Sequence, residues 1–114
     1  MAKFYGGGVN SITAPFANEP SFITEKVTVV TAGTPVNLPS ILIPDGRELT
    51  IRAKVSNGKK LIYVANSSAN ALLAASRVEL AAGEGVGLFV TNANAVWINS
   101  NANNQDVELL VEQP

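Results

Sequence analysis

Arg47-Glu48-Leu49-Thr50-Ile51-Arg52-Ala53-Lys54-Val55, then Ser56-Asn57-Gly58-Lys59, then Lys60-Leu61-Ile62-Tyr63-Val64-Ala65, reads as two short strands joined by a turn. Leu49, Ile51, Ala53 and Val55 alternate with Thr50, Arg52 and Lys54. Successive side chains of a strand point to opposite faces, so the apolar set is expected on a core and the polar set in water. Asn57-Gly58 tolerates the positive φ that a type I′ hairpin turn requires at both central positions. The sequence therefore predicts that Leu61–Ala65 pairs back, antiparallel, on the strand before it.

The same signals recur outward from this pair. Glu25–Thr31 is a strand with Val27 and Val29 on one face, and Ala32-Gly33-Thr34-Pro35 turns it into Pro35–Leu38. Pro39 and Pro44 bracket Ile41-Leu42-Ile43, which belongs at an edge or a corner because proline cannot donate to a ladder. Asp45-Gly46 leads into the strand Glu48–Val55. Beyond the turn, Asn66–Asn70 is a loop, and Ala71–Ala75 is a loop with helical character, too short to stand as a helix. Arg77–Leu80, Val86–Thr91, Ala95–Asn99 and Asp106–Val111 complete the set. In the last, Val107, Leu109 and Val111 alternate against Glu108 and Glu112. About eight short strands at regular spacing predict an all-β chain, an antiparallel β-sandwich or jelly roll, with a barrel as the alternative.

The chain has 114 residues, which fits one domain with a core that needs no staples. It has no Cys and no His. That removes disulfides, thiolate chemistry, the commonest general base and the commonest transition-metal ligand. A net charge of −1, scattered along the chain, gives no basic stripe for nucleic acid. No apolar run reaches the ~20 residues of a membrane helix. The N-terminus lacks the apolar core of a signal peptide, so synthesis in a cytoplasm without secretion is expected.

Residues 1–23 read differently from the sandwich expected over 24–114. Gly6-Gly7-Gly8, Pro15 and Pro20 break regular structure. Yet Phe4, Tyr5, Ile12, Phe16, Phe22 and Ile23 are too apolar for a solvated linker. Two readings stand: a terminus packed loosely on its own domain, or an extended arm anchored on a neighbouring subunit through Phe4, Tyr5, Ile12, Phe16 and Phe22. Exposed aromatic surface favours the arm.

Candidate chemistry is thin. Asp45 with Glu48, and Glu79 with Glu84, are acid pairs of the kind that hydrolyse glycosides when held at a set separation, but each sits at a turn or on a solvated face. Gly83-x-Gly85-x-Gly87 lies between two strands, whereas a dinucleotide loop opens a helix; a hairpin is expected. Asn57-Gly58-Lys59-Lys60 lacks the first glycine of a phosphate loop. Asn66-Ser67-Ser68 matches a glycosylation acceptor but means little without a secretory signal. Trp97 with Asn92, Asn94, Asn99 and Asn101 could stack on and bind a sugar; asparagines also serve turns by mimicking the backbone. No cofactor, metal or catalytic residue is expected, and an enzyme is the least favoured class.

Four segments carry a family likeness: Thr34-Pro35-Val36-x-Leu38, Ile62-Tyr63-Val64 with Asn66-Ser67-Ser68, Leu80-x-x-Gly83-Glu84-x-Val86, and Val96-Trp97-Ile98. Together, over Val27 to Glu112, they resemble small β-sandwich proteins of tailed-phage virions. Ala82 stands where proline is more usual, and Gly85 where serine is. The resemblance implies a capsid decoration, or cement, protein. Such proteins commonly sit as trimers on the virion exterior and tie the major capsid protein's subunits together. It implies no nucleic-acid or membrane partner. A tail, baseplate or head-fibre module is the alternative in the same setting, and a carbohydrate-binding module the alternative of another class.

Overall fold

The computed structural model describes residues 21–113. Eight strands run β1 Ser21–Val29, β2 Val36–Asn37, β3 Leu49–Ala53, β4 Ile62–Ala65, β5 Val78–Leu80, β6 Gly85–Leu88, β7 Trp97–Ser100 and β8 Gln105–Gln113. They form two antiparallel sheets of four, in the orders β1-β8-β3-β6 and β2-β7-β4-β5. This is the strand order of a jelly roll. Consecutive strands cross between the sheets everywhere except at β4–β5.

Alternation builds the core as the sequence leads one to expect. Leu49, Ile51 and Ala53 of β3, with Val107, Leu109 and Val111 of β8, point inward from the first sheet and are buried. Ile62, Val64, Leu80 and Ile98 point inward from the second. Leu38, Val96 and Ala93 close the core at the loops. Short 3-10 turns, Asn70–Leu72, Ala74–Ser76 and Ala93–Ala95, the last capped by the Asn92 side chain, stand where the sequence shows loops with helical character or a turn. Leu42 makes only an isolated bridge to Asn92, in keeping with its proline-bracketed place at an edge.

The predicted hairpin at Asn57-Gly58 does not form. β3 pairs with β8 and β6, while β4 lies in the other sheet beside β7 and β5. β3 stops at Ala53, and a 3-10 turn, Val55–Asn57, carries the chain across. Val55 is consequently 67% exposed instead of facing the core. Gly58 takes φ 64° with ψ −121°, a combination outside a type I′ turn. The Asn57 side chain is buried and pairs with the backbone of Asp106: its Nδ2 donates to the carbonyl at 2.8 Å and its Oδ1 accepts the N–H at 2.9 Å. Asn57 thus acts as one extra rung of the ladder on β8.

The hairpin expected at Gly83–Gly87 is corrected in the same way. β5 and β6 belong to different sheets, so Ala81–Glu84 is a crossover. Gly83 supplies the positive φ of 88° there. Its N–H donates to Ala53 O at 2.8 Å, and Glu84 O accepts from Ala53 N–H at 2.9 Å, docking the turn on the end of β3. β1 begins at Ser21, so Phe22 and Ile23 are strand residues; residues 1–20 lie outside those described.

Removing the Asn57 side chain leaves the Asp106 N–H without its partner, while the Asp106 carbonyl keeps the Lys54 N–H at 3.1 Å. Asn57→Ala is therefore expected to destabilise the fold by about 2 kcal/mol, read as a lower denaturation midpoint in urea at unchanged slope. Ile51→Ala, which hollows the core, is expected to cost about 2–5 kcal/mol in the same assay.

Candidate functional site

The two sheets differ in what covers their outer faces. On the second sheet, Tyr63 of β4 and Asn99 of β7 are register partners that point away from the core, yet both are buried. The segment 66–77 folds over them. Ser67 starts it, its Oγ accepting the Asn70 N–H at 3.0 Å. Ala71 is fully buried, and its carbonyl accepts from Asn99 Nδ2 at 3.2 Å and from Arg77 Nη1 at 3.0 Å. The Arg77 guanidinium lies 3.5 Å from the Tyr63 ring centroid, a cation–π stack that seals the cover.

The first sheet has no such cover among the described residues. Its outer face is read from the register. Phe22 partners Glu112; Thr24 partners Leu110, which partners Thr50, which partners Gly87; Lys26 partners Glu108, which partners Arg52, which partners Gly85. β6 thus presents only glycine to the outside at two successive outward positions. At Gly87 a Cβ would stand 2.7 Å from Glu48 Oε1, so the Glu48 carboxylate occupies the space the missing side chain leaves. Phe22, 65% exposed, and Phe89, 73% exposed, stand on opposite sides of the face. Over the next two rows lies a shallow groove of about 480 Å³, whose lining includes Thr24, Lys26, Thr50, Arg52, Glu108 and Leu110. Phe89 shares a neighbouring depression with Thr50, Leu110 and Glu112.

Charge on this face is organised by column. β8 is acidic, with Asp106, Glu108 and Glu112 outward; β3 and the residues after it are basic, with Arg52 and Lys54. Arg52 Nη2 and Nε donate to Glu108 Oε1 at 2.8 and 3.1 Å, and Lys54 Nζ lies 3.4 Å from Oε2. Arg47 reaches Glu112 at 3.9 Å. The Arg52 guanidinium, bonded to the Glu108 carboxylate, holds that carboxyl below the usual range; partial desolvation opposes this and Lys54 adds to it. Exposed pairs of this kind orient side chains more than they stabilise the fold.

The other candidates from the sequence do not come together as sites. Of the arm anchors, Phe22 lies on the open face just described; Phe4, Tyr5, Ile12 and Phe16 lie outside the described residues. Glu84 Oε1 accepts the Ala81 N–H at 2.8 Å, a turn contact. Three of the four asparagines near Trp97 turn their side chains to the chain itself. Asn92 Oδ1 accepts the N–H groups of Ile41 and Asn94, both at 3.0 Å; Asn99 Oδ1 accepts that of Gly33 at 3.0 Å; Asn101 Oδ1 accepts that of Leu61 at 2.9 Å. No group of three or more acidic, His or Cys side chains that could hold a metal lies among the described residues.

No family model matches the chain, and no curated protein matches it. A solved chain from Bacillus endospore appendages, described as forming a novel family of disulfide-linked pili, is similar over 90% of this chain and 95% of its own, at 17% identity and a TM-score of 0.42. The present chain has no cysteine with which to make such links.

Because the Glu108 carboxyl is depressed in the fold, its contribution to stability is present above the ordinary carboxylate range and is lost as pH falls through its folded value. Arg52→Gln is expected to raise the Glu108 titration midpoint towards the ordinary glutamate value of about 4.3, followed by NMR of the side-chain carboxyl. The same substitution should flatten the acid limb of the stability curve.

Proposed function

We propose that this chain is a structural protein of a tailed-phage virion, a capsid decoration protein that sits on the outer shell and clamps neighbouring subunits of the major capsid protein. The observation that carries this reading is the contrast between the two faces of the sandwich. One is closed by the protein's own loop. The other is open and low in relief, flanked by exposed aromatics and crossed by ion pairs. Such a face, unlike a concave pocket with convergent polar groups, suits contact with another protein surface. The strand-and-turn segments that resemble virion β-sandwich proteins point the same way.

In this reading the protein acts mechanically, as a homotrimer on the virion exterior. Each copy makes modest contacts, and repetition over a lattice multiplies them by effective concentration into a strong clamp. Phe4, Tyr5, Ile12, Phe16 and Phe22 are the arm residues assigned to those contacts. Ordering an extended arm costs of order 1–2 kcal/mol per residue in backbone entropy, and aromatic anchors are the groups able to offset it.

Quantitative mass spectrometry of purified particles tests the proposal. A copy number in simple ratio to the major shell protein is the expected result. A small count moves the protein to the tail, baseplate or a fibre, and absence from particles refutes the virion role. Deleting residues 1–20 is expected to leave the urea transition of the sandwich in place while weakening particle binding at least tenfold. Loss of the transition, or unchanged binding, would refute the role given to the arm.

A further inference from the structure

The open face of the first sheet is complementary to itself. We propose that it is a two-fold interface, joining two copies of this chain face to face through β8 and β3. This gives the open face a second copy of the chain as its occupant in place of the shell, leaving shell contact to the arm, and doubling of the free protein is read apart from particle binding.

The columns of this face run in the order β1-β8-β3-β6. Consider a two-fold axis lying along the strands, above the gap between β8 and β3. Rotation about it keeps each row in place and exchanges the columns. β8 of one copy then lies on β3 of the other, and β1 lies on β6. Strands stay near parallel between the two sheets, which is the aligned packing that sheets adopt face to face.

The pairs brought together match in charge and in size. Glu108 meets the partner's Arg52, and Asp106 meets the partner's Lys54. Within one copy Glu108 already holds both Arg52, at 2.8 Å, and Lys54, at 3.4 Å, while the Asp106 carboxylate accepts from the Thr28 hydroxyl. Docking therefore interleaves the pairs into a network without placing a lone charge against a wall. Leu110, 38% exposed, falls on the partner's Thr50 at the centre, where the face is least polar. On the flanks, Thr24 and Lys26 oppose the partner's Gly87 and Gly85. Gly85 carries no side chain against Lys26, whereas over Gly87 the Glu48 carboxylate fills the space and is what Thr24 meets. Phe22 is carried towards the partner's Phe89, so two aromatics that are solvated in the single copy gain cover. The Glu48 and Glu112 end is the like-charged exception, and Arg47, 3.9 Å from Glu112, sits there to meet it.

The area sets the strength. Four strands about 4.8 Å apart and about seven residues of about 3.4 Å each give roughly 450 Å² per copy, or roughly 900 Å² for the pair. That is at the low end for specific contacts, where association is weak and reversible. Strong dependence on ionic strength follows from the charged columns. A two-fold contact of this kind adds to any three-fold association made elsewhere on the chain.

Sedimentation velocity of the purified full-length chain tests the interface through charge reversal. The wild-type protein is expected to double in mass as concentration rises, and to revert in high salt. Arg52→Glu and Glu108→Arg, each checked for folding by circular dichroism, should each fail to double, because every cross-copy pair at that row becomes like-charged. Mixing the two variants should restore doubling, since Glu108 of the first then meets Arg52 of the second and the two introduced charges also match. Leu110→Glu changes the centre of the face on an already exposed side chain and should also abolish doubling, which guards against a charge variant that fails to fold. The proposal is overturned if the wild type never doubles, if Arg52→Glu or Leu110→Glu doubles like the wild type, or if the mixture of folded variants stays unpaired.

Discussion

The structure depends on one insertion. β8 runs between β1 and β3 and pairs with both, over nine residues of β1 and five of β3. It contributes Val107, Leu109 and Val111 to the core, and its Asp106 backbone receives the Asn57 side chain that ends the crossover from β3. Without β8 the first sheet is two separated edges, and half of the core has no wall. Local propensity contributes little here. Most of the ladder joins segments far apart in sequence, so loop closure must be met before the hydrophobic gain is collected.

The same insertion shapes the outer surface. Alternation on β8 sends Asp106, Glu108, Leu110 and Glu112 outward between the basic residues of β3 and the threonine and lysine of β1. The acidic and basic columns therefore follow from the order of strands, each carrying one dominant sign. The second sheet takes the opposite course, because the long segment between β4 and β5 has Ala71, Arg77 and Ser67 placed to fold back over Tyr63 and Asn99. Among the described residues one face is closed and the other uncovered, and that division arises from where the chain spends its loop residues.

Much of this was readable in the sequence, and the failures have physical causes. Alternation located the buried side chains of β3 and β8, since a period of two is a local property that burial on one face enforces. Glycine and proline located the turns. Pairing was harder. Asn57-Gly58 is compatible with a hairpin, but the Asn57 amide has a better use 49 residues away, and no local rule carries that information. Val55 fits the apolar alternation yet is exposed, because the strand ends when the crossover begins. The open face was only half visible: Glu108 and Glu112 were expected to point outward, whereas the roles of Gly85, Gly87 and Phe89 depend on which strand β6 joins. Phe89 stands between Leu88 and Val90 in the sequence, and strict alternation places it on their opposite face.

The late position of β8 also gives the nascent chain a history. Between Val29, the end of β1, and Gln105, the start of β8, lie 75 further residues. At about 5–20 residues per second, synthesis takes roughly 4–15 s to cross that gap. Throughout it β1 is a nine-residue strand without its partner, carrying Phe22, Ile23, Val27 and Val29. Glu25 and Lys26 sit in the middle of that run. In the finished fold Glu25 is exposed although its register partner Leu109 points to the core, and β1 stands at the edge of its sheet. A charge among Ile23, Val27 and Val29 is the kind of device that discourages other chains from pairing with such a strand, before β8 arrives and at the free edge afterwards.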